Sequence, residues 1–243
     1  MDFLRVEGLC KSFGGLMAVS YLDFQVDEGE IIGLIGPNGS GKTTILNLLT
    51  GFHKPDSGTI TFRGEDVTGF PRYRMGQRGM ARTFQLTKTF FDFTALQNVM
   101  VGRVYGRESA QSLQVAGEEA KEILDRVGLL GKAGVLAKDL TLMERKRLEL
   151  ARALAAQPHL LLLDELMAGL NHAEAEEAMK LIKQIRDSGT TIVVVEHIVK
   201  AILGLSDRIV VLNMGAKIAE GCPEEIVHDP QVIEVYLGKA HHA

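Results

Sequence analysis

The residues that most constrain this chain are Gly36, Pro37, Asn38, Gly39, Ser40, Gly41, Lys42, Thr43 and Thr44. They fit the pattern G-x-x-x-x-G-K-[ST], a glycine loop whose backbone N–H groups cradle phosphate oxygens. The preceding run, Ile31 to Ile35, is short and apolar and predicts a buried strand. The following run, Thr43 to Thr50, carries Ile45, Leu46, Leu48 and Leu49 and predicts a helix. Strand, glycine loop and helix together make a phosphate site, because the helix N-terminus adds a favourable dipole to the loop amides. Lys42 is expected to reach the β- and γ-phosphates of a nucleotide, and the Thr43 hydroxyl to ligate Mg²⁺.

A second motif completes such a site. Four leucines between His159 and Asp164 predict a buried parallel strand ending in Asp164 and Glu165. Open α/β sheets bind ligands at the C-terminal ends of such strands. Asp164 is placed to hold Mg²⁺ and Glu165 to polarise an attacking water. Another apolar strand, Thr190 to Val195, ends in Glu196 and His197, which puts His197 beside the expected γ-phosphate.

Around these motifs the chain alternates between patterns. Leu4 to Val26 predicts strands of a mostly antiparallel sheet, with Ala18, Ser20, Leu22, Phe24 and Val26 on one face. Phe13, beside Gly14 and Gly15, could stack on a base or pack in the core. Thr59 to Arg63 and Met80 to Phe84 predict strands, and Arg72 to Gly79 a basic loop or helix. Residues 86–157 lose strand alternation and gain helical periodicity, with Thr94 as an N-cap and a helix over Ala116 to Val127. Thr141 and Glu144 fit a capping box opening a further helix, with Leu148, Ala151, Leu154 and Ala155 apolar and Arg145, Lys146, Arg147 and Arg152 on the polar side. Ala173 to Ile185 predicts an amphipathic helix, Arg208 to Glu220 a hairpin, and the segments after Pro223 and Pro230 short helices. The fold class is α/β, one domain over 1–243. Its core (1–85 and 158–243) opens with an antiparallel β subdomain, and a helical subdomain (86–157) is inserted.

The formal charge of −4 over 243 residues and the lack of basic runs exclude a dominant nucleic-acid surface. No apolar run reaches the ~18 residues of a membrane span. Cys10 and Cys222 are expected as free thiols. The adjacent histidines His241 and His242 are expected to be inert.

The order of motifs resembles the ATP-binding subunit of an ABC transporter, over about residues 3–238. Within that family it looks most like the subunits of branched-chain amino acid importers. That likeness rests on Leu140 to Leu154, Met167 to Asn171 and the ending Ile218 to Gly221 through Tyr236 to Gly238. The resemblance implies ATP hydrolysis with Mg²⁺, with Phe13 stacking on adenine and Glu165 as general base. It implies that Gln85 approaches Mg²⁺ and the attacking water, and that His197 meets the γ-phosphate. It further implies a head-to-tail pair with a second ABC ATPase subunit, so that Thr141 meets the mate's nucleotide in trans. Two transmembrane permease subunits and, indirectly, a solute-binding protein complete the assembly at the cytoplasmic face of the cell membrane. The signature motif departs from the family, because Leu142 and Met143 stand where glycines are usual. Leu166 replaces a usual proline and Asn171 a usual aspartate. We therefore expect a different subunit as mate and two unequal ATP sites. The same motifs leave open a homodimer, a urea or amide importer, a lipid exporter, or an ABC ATPase outside transport. Phe90, Phe91 and Phe93 either receive a membrane subunit's cytoplasmic helix or form a small core of their own.

Overall fold

The computed structural model of this chain describes residues 3–84 and 89–237. The two apolar strands flanking the central motifs, β3 (Ile31–Ile35) and β7 (Leu160–Asp164), are buried at every position. They belong to a six-stranded sheet that also contains β6 (Met80–Arg82), β8 (Thr191–Val195), β9 (Arg208–Asn213) and β10 (Ala216–Gly221). The order is β10-β9-β3-β8-β7-β6, parallel except for the β9–β10 hairpin. A sheet covered on both faces reads as continuous apolar sequence. Each strand feeds two cores by its period of two. Leu161, Leu163, Ile192 and Val194 pack on one face, and Leu160, Leu162, Val193 and Val195 on the other.

The second face is covered by a four-stranded antiparallel sheet, in the order β2-β1-β4-β5, and by helix α1 (Lys42–Leu49). Its strands are β1 (Leu4–Phe13), β2 (Leu16–Val26), β4 (Ser57–Phe62) and β5 (Glu65–Asp66). Here the expected parity of β2 needs correction. Leu22, Phe24 and Val26 are buried, but N-terminal to them the buried residue is Val19, not Ala18 or Ser20. Tyr21 adopts φ 45° and the β1 pairing shifts register beside it. One extra residue in a strand flips every side chain beyond it. Basic segment 72–79 forms a short helix, α2 (Arg72–Gln77).

The first face carries helices α3 (Ala95–Tyr105), α4 (Leu113–Arg126), α5 (Leu142–Ala155), α6 (His172–Asp187) and α7 (Val199–Leu205). Helices α3 and α5 start at Thr94 and Thr141, the expected N-cap and capping box; Thr94 proves to form a capping box too, with Gln97, and α6 opens on one at Asn171. Sequence periodicity gave no sign of α7, which is only seven residues long. Helices α8 (Pro223–His228) and α9 (Pro230–Leu237) close the chain. Cys10 and Cys222 are both free. His241 and His242 lie outside the described residues.

Candidate nucleotide site

Three of the motifs lie at the C-terminal ends of parallel strands: the glycine loop after β3, Asp164 and Glu165 at β7, Glu196 and His197 after β8. The loop glycines are held by close approach. Gly36 has φ 155°, and a Cβ there would lie 2.3 Å from the Leu212 carbonyl oxygen. Gly41 has φ 102°, and its Cβ would lie 2.5 Å from the Ala18 carbonyl oxygen. Neither position admits a side chain without moving backbone. Gly41 is also the N-cap of α1 and offers no side chain to its first amides. The other long helices cap themselves, so α1 keeps its N–H groups for an anion.

Phe13, Asn38, Gly39, Ser40, Gly41, Lys42, Thr43, Thr44, Glu165 and His197 line one cleft of about 640 Å³. Gly36 and Pro37 lie beside it, and their carbonyls accept hydrogen bonds from Lys42 Nζ at 2.6 and 3.0 Å. Burial pushes the Lys42 amine below its usual range, against the pull of Glu165 and Asp164. Glu165 is buried in a left-handed backbone conformation, φ 52°, and its carboxylate meets His197 Nε2. A non-glycine residue held there costs of order 1–3 kcal/mol and is a mark of functional sites. Phe13 is exposed at the cleft, edge-on to His53 with ring centroids 5.1 Å apart, so the core alternative falls away.

Asp164 lies deeper. Its Oδ2 accepts a 2.6 Å bond from Arg82, and its Oδ1 is buried with no partner among the described residues. An orphaned carboxylate oxygen beside an anion site suits an oxygen-seeking cation such as Mg²⁺. Thr141, the N-cap of α5, is not among the residues lining the cleft. Gln85 lies outside the described residues.

Several residues escaped the sequence reading. Leu16, Met17, Ala18 and Met214 add an apolar wall to the cleft. Lys146, expected on the polar side of its helix, is instead buried and donates to the Glu165 carbonyl at 3.2 Å. Glu196 is buried, accepts from Met167 N at 2.7 Å, and is pushed up to about 6 by that burial. Arg82 had a visible signal, since a charge in an apolar strand must find a partner.

A family profile described as "ABC transporter" matches residues 19–168. The chain belongs to the ABC transporter family. A second profile, "Branched-chain amino acid ATP-binding cassette transporter", matches residues 216–242. The chain is 42% identical to the high-affinity branched-chain amino acid transport ATP-binding protein LivG of Escherichia coli (strain K12), over 98% of each chain. It is 38% identical to BraF of Pseudomonas aeruginosa, also named for branched-chain amino acid transport, with the same coverage. A nucleotide-free ATP-binding cassette from an ABC transporter superposes with a TM-score of 0.89 at 30% identity, over 98% of this chain and 100% of that one. The ADP conformation of the cassette MJ1267 gives 0.88 at 30%, with the same coverage. This is therefore an ABC transporter ATPase subunit of the branched-chain amino acid transport type. Among its described residues no helix is long and apolar enough to cross a membrane.

Proposed function

We propose that this chain hydrolyses Mg²⁺-ATP to drive import of branched-chain amino acids through separate membrane subunits. The observation that carries the reading is the meeting of Lys42, Glu165 and His197 at the mouth of one glycine loop. On arrival of the triphosphate, Lys42 exchanges its two loop carbonyls for phosphate oxygens. The loop amides and the uncapped start of α1 hold the remaining charge. Asp164, Thr43 and Gln85 are the residues that would hold Mg²⁺, which when bound supplies further charge neutralisation on the phosphates. Glu165 accepts the proton of the attacking water. His197, bonded to that carboxylate, orients it and meets the γ-phosphate. Phe13 stacks on adenine. Little covalent chemistry is needed, and positioning with electrostatic stabilisation supplies most of the rate.

Thr141 faces the nucleotide of a second ABC ATPase subunit, which we take to be a different chain. ATP stabilises the closed pair because only that state completes each site, and hydrolysis releases it. Helices α3, α4 and α5 form the helical arm that meets the two permease subunits, placing the chain peripherally at the cytoplasmic face, and a solute-binding protein acts at one remove. Nucleic acid is not a partner. A lipopolysaccharide export protein of Haemophilus influenzae, LptB, is 34% identical. The higher identity to LivG and the matching C-terminal segment favour amino acid import.

The direct test is Glu165→Gln. ATP affinity should stay near wild type while turnover falls about a hundredfold or more. Wild-type turnover in that variant would remove Glu165 from the role of base.

A further inference from the structure

Arg82 ends strand β6, next to the segment leading to Gln85, and joins three elements at once. Its Nη2 donates to Asp164 Oδ2 at 2.6 Å and its Nη1 to Asn47 Oδ1 of α1 at 2.6 Å. The Arg82 and Asp164 side chains are only 6% and 3% exposed. Thr83 adds a second fastening, its Oγ1 accepting from Asp164 N at 3.1 Å. The carboxylate is thus gripped at Oδ2 and by its backbone, while Oδ1 is left without a partner among the described residues.

A buried carboxylate without a counter-charge is costly, and a guanidinium is a permanent one. The Asp164 carboxylate is therefore paired and oriented by Arg82 without a metal. We propose that Arg82 is a positioning residue: it supplies the positive charge on Asp164 while no Mg²⁺ is bound, and keeps Oδ1 as the oxygen that receives the metal. This rests on the nucleotide site proposed above. Its consequence concerns the metal-free state. With Arg82 present, an incoming triphosphate meets a neutralised Asp164. Without Arg82 it meets a bare buried carboxylate, unless Mg²⁺ arrives with it.

The test is ATP affinity by isothermal titration of the full chain, with Mg²⁺ and with EDTA. In Arg82→Gln, affinity in EDTA should fall about tenfold while affinity with Mg²⁺ falls less than about threefold. Arg82→Lys, which keeps the charge, should stay within about threefold of wild type in both conditions. Should Arg82→Gln not fold, the uncharged pair Arg82→Gln with Asp164→Asn carries the test. It should bind ATP in EDTA within about threefold of wild type, since the carboxylate that repels phosphate is gone. Equal losses with and without Mg²⁺, or a double variant as weak in EDTA as the tenfold loss expected of the single one, would reduce Arg82 to a structural brace. If the wild-type chain bound no ATP in either condition, the nucleotide site itself would be refuted, and this inference with it.

Discussion

Glu196 precedes His197, yet its own side chain turns inward to cap Met167 N. Burial raises its carboxyl from 4.5 to about 6, and the Met167 N–H bond, then the nearby Lys146 ammonium, only partly offset this. The folded chain therefore holds this proton more tightly than the unfolded chain does. The stability it contributes is complete below pH 4.5 and is lost as pH rises through about 6. Relative to a Glu196→Gln variant, wild type should lose about 2 kcal/mol between roughly pH 4 and pH 7.5. Denaturant titrations of both proteins across that range measure it, and a pH-independent difference would contradict the assignment. The same residues mark a limit of sequence reasoning. Asp164, Glu165 and Lys42 announce themselves by motif. Lys146 and Glu196 do not, because neither a run of charged helix residues nor a carboxylate just past a strand says which side chain turns inward.

At the scale of the element, α5 opens on Thr141 and Glu144, each side chain bonded to the other's backbone N–H, at 3.3 and 2.8 Å. Thr141→Ala should cost about 1 kcal/mol of stability through the lost cap. It should also slow hydrolysis at the mate's site while sparing the site containing Lys42. Single-site turnover in mixed complexes, each carrying one blocked base, separates the two. Slowing confined to the Lys42 site would show the trans assignment to be wrong. The loop before α3 makes a second case. Phe90, Phe91 and Phe93 are each 44–47% exposed, so they form no core of their own. Buried Asn98 holds the loop, donating to the Phe90, Phe93 and Thr94 carbonyls. Phe91→Asp should change stability by less than about 0.5 kcal/mol while abolishing co-purification with the membrane subunits. An unfolded variant would return the phenylalanines to a structural role. Long amphipathic helices and buried parallel strands were legible because their periods repeat. The β2 bulge at Tyr21 and the short α7 were not, since one inserted residue or two turns leave no period to read.

At the scale of the whole molecule, the glycine loop, β7 and β8 bring half of a reaction centre to one edge of a sheet. The other half is absent from that edge, because Thr141 does not line the cleft. One chain alone leaves the γ-phosphate side open to solvent. In the proposed assembly a second ATPase subunit closes it, and the substitutions Leu142 and Met143 in the signature suit a mate whose own signature differs. The most direct test is the association of this chain, carrying Glu165→Gln to block turnover, with the ATPase subunit that co-purifies with it from membrane extract. Sedimentation of the pair with and without Mg²⁺-ATP gives the answer. The account predicts a tight complex with nucleotide and a weak one without it. Equal association in both conditions would contradict the claim that ATP is held between two facing surfaces.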